Sequence, residues 1–392
     1  MRSIRIAISG CVLVASLAAC SDDSKSDQTT GTTGTTATTG TEGGGTTTAA
    51  SIVDDIVAAA QANLAAYNEN PTTLLGVPEE TLKSLPEPGS KIYFLTAPGE
   101  VAGFSSDLKA AAEALGMELT VIDQVGTPEG VTSAWDQVVA DKPAVVIDAG
   151  FPPAMYQNQF DEYVAGGGIV LGYGIGVPDL PEGVVFNLVG LDATTVEEAG
   201  TLMADYVISD ANGSDAQVAF FSAPYDIVQK EQKAFEDRLA ECSNCSIVSN
   251  INPDLATIGT ALPAQVVSIL QQNPDVKYAV FAFGSMSIGV SNALKAAGID
   301  VQIVSQAGDG AFNVGAVRDG DQAFDIAYGY TFNAYRLVDA AARALAGQDV
   351  GTPATPLRIL TPDTIGSVEF REDGNWLAYP DILAEFKKAW GI

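Results

Sequence analysis

From Lys91 onward the chain alternates short apolar runs with stretches of helical period. The runs are 92–97, 118–123, 144–149 and 168–172 in the first half, then 184–189, 217–222, 246–251, 278–283, 301–305 and 324–328. Between them, Leu108, Ala111, Ala112 and Leu115 fall on one helix face. So do Val196, Ala199, Gly200, Met203 and Val207, with Thr194 and Glu197 at the spacing of a capping box. Tyr335, Val338, Ala342 and Leu345 mark a later helix. Strands and helices alternating over short connections predict parallel sheets covered on both faces. The units are too many for one sheet, so the pattern predicts two doubly wound α/β lobes. Gly172-Tyr173-Gly174-Ile175-Gly176 lacks the G-x-G-x-x-G spacing of a dinucleotide site and reads as a hinge between them. Ahead of this body, Ile52, Ile56, Ala59, Ala60, Asn63 and Leu64 predict a helix with Ser51 as its N-cap. A Pro-studded link follows, to Pro88.

The first fifty residues carry a different pattern. Arg2 and Arg5 precede an apolar run through Ala19, the form of an export signal and too short for a spanning helix. Leu17-Ala18-Ala19-Cys20 resembles the lipobox of bacterial lipoproteins, which implies acylation of the Cys20 thiol after cleavage. Acyl chains add about 0.8 kcal/mol of membrane affinity per buried methylene. Residues 21–50 hold 12 Thr and 6 Gly and cannot bury a core, so they are expected to form a flexible tether.

Composition narrows the chemistry. The 19 basic residues stand against 49 acidic ones, a formal charge of −30, which excludes phosphate-backbone binding and repels an anionic membrane surface. There is no histidine, so Ser-His-Asp and Cys-His pairs and imidazole metal sites are excluded. No cofactor motif and no metal cluster is evident. Cys242 and Cys245 form a C-x-x-C that suits a redox centre, half a metal site or a short disulfide. No second such pair completes a metal site, and the pair does not open a helix. A structural disulfide is the expected reading.

The order of elements over about residues 90–360 resembles a type I periplasmic (substrate-binding) protein of the ribose/galactose class. Lys91-Ile92-Tyr93-Phe94-Leu95, then Phe104, look like its opening strand and aromatic ligand loop. Asn273-Pro274-Asp275-Val276 resembles its strand entry, Ala293-Leu294-Lys295-Ala296-Ala297-Gly298 the helix after it, and Gly308-Asp309-Gly310 its crossover turn. The resemblance implies two parallel-sheet lobes joined by a three-strand hinge, with ligand in the cleft at the strands' carboxyl ends. That placement agrees with the general rule for open α/β sheets. The expected boundaries are 1–19 for the signal, 20–50 for the tether and 51–90 for the helix and linker. Lobe 1 is expected at 91–174 with 309–355, and lobe 2 at 175–308 with 356–392.

Ligand contacts are expected from residues at those strand ends: Phe104, Asp148, Phe151, Tyr173, Tyr225, Gln229, Asn252, Phe283, Ser285, Gln306, Asp309 and Tyr330. Aromatic faces suit the C–H faces of a sugar or another ring, and amides and carboxylates suit hydroxyls. Asp309 is the first choice, because the family's matching aspartate contacts ligand. Sugar-binding relatives usually carry an Arg where this chain has Gln229, which implies a neutral ligand of moderate polarity. The expected protein is therefore a monomeric, lipid-anchored, exported receptor without catalysis that delivers a small molecule to an ABC-transporter permease. A ligand-presenting sensor for a membrane signalling receptor keeps the same fold. A carboxylate-dependent glycoside hydrolase using Asp148 with Asp309 is the alternative of another class.

Overall fold

The computed structural model describes residues 49–96, 103–175, 186–308 and 310–392. Helix α1 (Ala49–Ala65) comes first, and Ser51, expected as its cap, lies inside it. A βα series follows: β1 (Lys91–Thr96), α2 (Phe104–Ala114), β2 (Glu118–Asp123), α3 (Pro128–Asp141), β3 (Val145–Ala149), α4 (Gln157–Ala165), β4 (Ile169–Tyr173) and β5 (Phe186–Leu188). These strands pair in parallel in the order β2-β1-β3-β4-β5. Strand β1 shows why both faces must be covered. Ile92 and Phe94 point into one core cluster, Tyr93 and Leu95 into another built on Trp135, Tyr156 and Phe160. No polar face remains, as expected for a parallel strand between helices.

The second series is α5 (Ala193–Ala211), β6 (Ala216–Phe221), α6 (Asp226–Leu239), β7 (Cys245–Ile251), α7 (Leu262–Gln272), β8 (Val276–Phe281), α8 (Val290–Ala297) and β9 (Gln302–Ser305). Its sheet runs β7-β6-β8-β9, again parallel. Helix α5 is capped by Asp192, whose Oδ1 accepts from the Thr195 backbone N–H (3.0 Å) and Oγ1 (2.9 Å), rather than by Thr194. Asp192 offers a side-chain oxygen two residues earlier, and its extended backbone suits the cap position. Cys242 and Cys245 are joined in the turn that enters β7.

The chain ends with α9 (Ala311–Arg318), β10 (Asp325–Tyr328), α10 (Tyr330–Leu345), β11 (Leu357–Leu360) and α11 (Ile382–Trp390). A parallel bridge from Val304 to Phe324 attaches β10 to β9, and β11 lies antiparallel on β10. Residues 311–328 thus belong with the second sheet, not with lobe 1 as expected. The chain returns at Gly329, whose N–H donates to Pro356 O (2.9 Å), and α10 then packs on α2 and β4 of the first lobe. Helix α11, expected in lobe 2, also packs on α10, through Phe386 against Phe332 and Tyr335.

The segment 51–90 is part of the body. Helix α1 lies along α5, where Asn63 donates to Asp205 (2.7 Å) and Tyr67 to Glu198 (3.0 Å). Beyond it the chain crosses to α10. The wholly buried Arg336 donates to Gly76 O (3.1 Å) and Arg343 to Glu80 O (2.8 Å). Asp339 lies between the two guanidinium groups and also accepts from Trp390 Nε1 (3.1 Å). Buried charges are tolerable when paired and hydrogen-bonded, and here Asp339 pairs with both arginines, although Arg336 Nε is buried without a partner among the described residues. The result is a strap fastened to both lobes.

Candidate functional site

On lobe 1, Phe104 opens α2 just after β1, and Tyr173 ends β4. Their rings stack at 5.1 Å with 20° between planes. Phe104 is almost fully buried and also meets Phe94, while Tyr173 is half-buried. The Tyr173 hydroxyl accepts from Asn333 Nδ2 (3.3 Å), and Asn333 Oδ1 accepts from Thr355 (3.2 Å). Asn333 stands in the first turn of α10 and Thr355 beside the returning hinge strand. The aromatic pair is therefore tied to the hinge itself. Tyr330, at the start of α10, is buried beside Tyr328, with ring centroids 5.8 Å apart.

Two other lobe 1 residues differ from expectation. Asp148 is completely buried, on the face of β3 that carries Val146 and points at Trp135. Its carboxyl accepts from Gln124 Nε2 (3.1 Å) and from the Tyr156 hydroxyl, and Tyr156 stacks on Trp135 at 4.3 Å. Burial pushes its pKa from 3.8 up to about 7 against those hydrogen bonds. In this structure it is packed as a core group. Phe151 leans on the same cluster, and its carbonyl accepts from Tyr156 (3.2 Å).

On lobe 2, Tyr225 and Gln229 follow β6, Asn252 follows β7, and Phe283 and Ser285 follow β8. Because β6 lies between β7 and β8, these loops are neighbours along one rim. Tyr225, Gln229, Asn252 and Ser285 are exposed and Phe283 is half-buried. Gln229 Nε2 donates to Ala223 O (2.8 Å), so its oxygen faces outward from a fixed amide. Gln306, expected to meet ligand, is buried instead. Its Nε2 donates to Glu231 Oε2 (3.0 Å) and to Ala282 O. Burial raises the Glu231 carboxyl well above the usual carboxylate range, despite that hydrogen bond. Asp309 and Cys20 lie outside the described residues.

Sequence reasoning missed Glu231, Gln124 and Asn333. Glu231 carried a signal, since Val228, Glu231, Phe235 and Leu239 share the inward face of α6. Among the described residues no group of three or more His, Cys, Asp or Glu could hold a metal. The site presents a fixed aromatic surface on one side and exposed hydroxyls, amides and an aromatic on the other. Such a set suits hydrogen bonds and stacking to an uncharged molecule.

No curated protein sequence matches the chain. The fold has solved relatives. An ABC transporter periplasmic solute binding protein from Actinobacillus succinogenes with bound D-allose superposes with a TM-score of 0.63. It is 17% identical and covers 72% of this chain and 100% of its own. A solute binding protein from Agrobacterium vitis with bound allitol gives 0.61 at 18% identity, covering 72% and 98%. A glucose-galactose binding protein from Geobacillus stearothermophilus gives 0.60 at 18%, covering 71% and 99%. The profile of the periplasmic binding protein domain matches residues 92–349. The chain therefore belongs to the periplasmic binding protein family, in the type I form with two parallel sheets.

Proposed function

We propose that the protein is the extracytoplasmic solute-binding receptor of an ABC importer, closing two lobes on a small neutral ligand of sugar, polyol or ring-containing type. The observation that carries this reading is the stacked Phe104–Tyr173 pair, tied through Asn333 to the hinge of a two-lobed periplasmic binding fold. A ligand laid against Tyr173 touches the group that also touches the hinge. Binding then favours the closed arrangement by the difference in its affinity for the two states. The solved relatives carry bound D-allose and allitol, which are neutral polyhydroxylated molecules. The exposed Tyr225, Gln229, Asn252 and Ser285, with Asp309, which follows Gly308 in the sequence, are the hydroxyl-binding groups of this reading.

The receptor is held at the outer face of the cell membrane by lipid on Cys20 and works as a monomer without a cofactor. A Cys20→Ala variant is expected to leave the membrane fraction while keeping its fold. The test of function is a thermal-shift screen across sugars, polyols, nucleosides and aromatic catabolites. A ligand at about 100 times its Kd adds about 2.7 kcal/mol to stability, enough to raise the midpoint visibly. Hits confined to charged metabolites would overturn the neutral-ligand reading. Depletion of a nitrophenyl glycoside dependent on Asp309 would overturn the receptor.

A further inference from the structure

Where the strap passes the hinge it leaves an open cavity of about 560 Å³, within the size range of small-molecule sites. Three stretches of chain enclose it: residues 66–75 of the strap, the start of α5 from Asp192 to Glu198, and the returning stretch 353–357. The strap wall is held in place by hydrogen bonds. Ile359 N–H donates to Tyr67 O (3.0 Å), Asn70 Nδ2 to Leu377 O (3.0 Å) and the Tyr379 hydroxyl to Thr73 O (2.7 Å). None of the strand-end residues assigned to the solute cleft lines this cavity.

Its lining combines hydrocarbon with negative charge. Pro71, Leu75, Pro353, Pro356 and Leu357 supply the first, and no lysine or arginine is among the lining residues. Asp192 is only 7% exposed. Its Oδ1 caps α5, while its Oδ2 accepts no hydrogen bond among the described residues. A carboxylate oxygen buried to that degree calls for a donor. Glu198, half-buried on the same helix start, accepts from the Tyr67 hydroxyl through Oε1 (3.0 Å). That hydroxyl holds its proton, because burial and the Glu198 charge both raise its pKa. Glu198 Oε2 has no donor among the described residues. The third carboxylate, Glu69, acts on Arg358, which does not line the cavity. A helix start ordinarily attracts anions, but Asp192 already takes the Thr195 N–H, and an anion here would meet carboxylates.

We propose that this cavity is a second binding site, separate from the solute cleft, for a small organic ammonium ion. Its N–H groups meet Asp192 Oδ2 and Glu198, and its methylenes lie against the prolines and leucines. Charge-assisted hydrogen bonds to the two carboxylates supply the recognition, and burial of the methylenes adds to it. A metal ion fits less well, because among the described residues no group of three or more acids could hold one. The ammonium completes the one buried carboxyl of the hinge region that lacks a donor on its second oxygen and opens on a cavity.

Isothermal titration of the protein with 1,4-diaminobutane, 1,4-butanediol and succinate varies the end-group charge at one carbon length. The diamine is expected to bind one to one, and the diol and the dianion not at all. Asp192→Asn keeps the capping oxygen and Glu198→Gln keeps the acceptor for Tyr67, so both should melt as the natural protein does. Each should weaken the diamine about tenfold or more, since it removes the charge from one acceptor. Thr194→Arg, at an exposed position of the lining, places a tethered cation there and should abolish binding even if the other variants fold poorly. Absence of diamine binding, or equal binding of the diol, would overturn the site. So would a diamine affinity unchanged in all three variants, which would put the amine elsewhere. The two sites share no residue, so this result and that of the thermal-shift screen stand or fall separately.

Discussion

The two rims of the cleft are pinned from behind in the same way and faced differently in front. On lobe 1, Gln124 follows β2 and donates to the buried Asp148 and to the strand-end carbonyls of Leu95 (3.3 Å) and Ala149 (3.2 Å). On lobe 2, Gln306 follows β9 and donates to the buried Glu231 and to Ala282 O. Each amide bridges a buried carboxyl to the ends of parallel strands, where the ladder has run out of partners. The carboxyls are not equally supplied. Asp148 also receives the Tyr156 hydroxyl, whereas Glu231 Oε1 is buried without a hydrogen-bond partner among the described residues. In front, lobe 1 offers a packed aromatic pair and lobe 2 an exposed, mostly polar row. Lobe 1 is a packed surface, and lobe 2 an exposed one.

Phe104→Ala should break the lobe 1 side most severely. Deleting a buried ring costs about 3–5 kcal/mol, so its denaturation midpoint should fall as well as its ligand-induced shift. A ligand shift lost at full stability would mean that Phe104 is less packed than it stands here. Next in size is the pH response of the two carboxyls. Each has a folded pKa above its unfolded one, so its stabilisation is complete in acid and declines as pH rises towards the folded value. For Asp148 the decline runs between about pH 4 and 7 and amounts to roughly 4 kcal/mol. The protein should therefore melt higher at pH 5 than at pH 8, and Asp148→Asn and Glu231→Gln should each flatten that slope. A larger flattening by Glu231→Gln would confirm that the carboxyl with fewer donors is the more strained. The smallest effect on stability belongs to Tyr225→Ala, within about 0.5 kcal/mol because the side chain is exposed. Its ligand affinity should nevertheless fall. Equal affinity would remove lobe 2's aromatic from the site.

The hydrophobic alternation located the strands closely, and 118–123 coincides with β2. It could not tell a strand-end ligand group from a core group one residue deeper. Asp148 illustrates the reason: on β3 it shares parity with Val146, and that face turns towards Trp135. Parity against β1 contained the answer, since Tyr93 and Leu95 point the same way. The burial of Gln306 was hidden for another reason, because its partner lies 75 residues away on α6. The strap was hidden too, although Arg336, Asp339 and Arg343 stand at the i, i+3 and i+4 spacings of helix ion pairs. Their targets are backbone carbonyls, which leave no trace in a pattern of side chains.

The strap carries a consequence for how the protein acquires its structure. The carbonyls of Gly76, Pro78 and Glu80 are among the first parts of the body to be made. The guanidinium groups that receive them arrive 260, 265 and 263 residues later. Contacts of such sequence separation are slow to form, because the intervening chain must be ordered before they repay its entropy. Both sheets and α10 must be in place before those arginines have anything to hold. The strap is therefore expected to be seated late in folding.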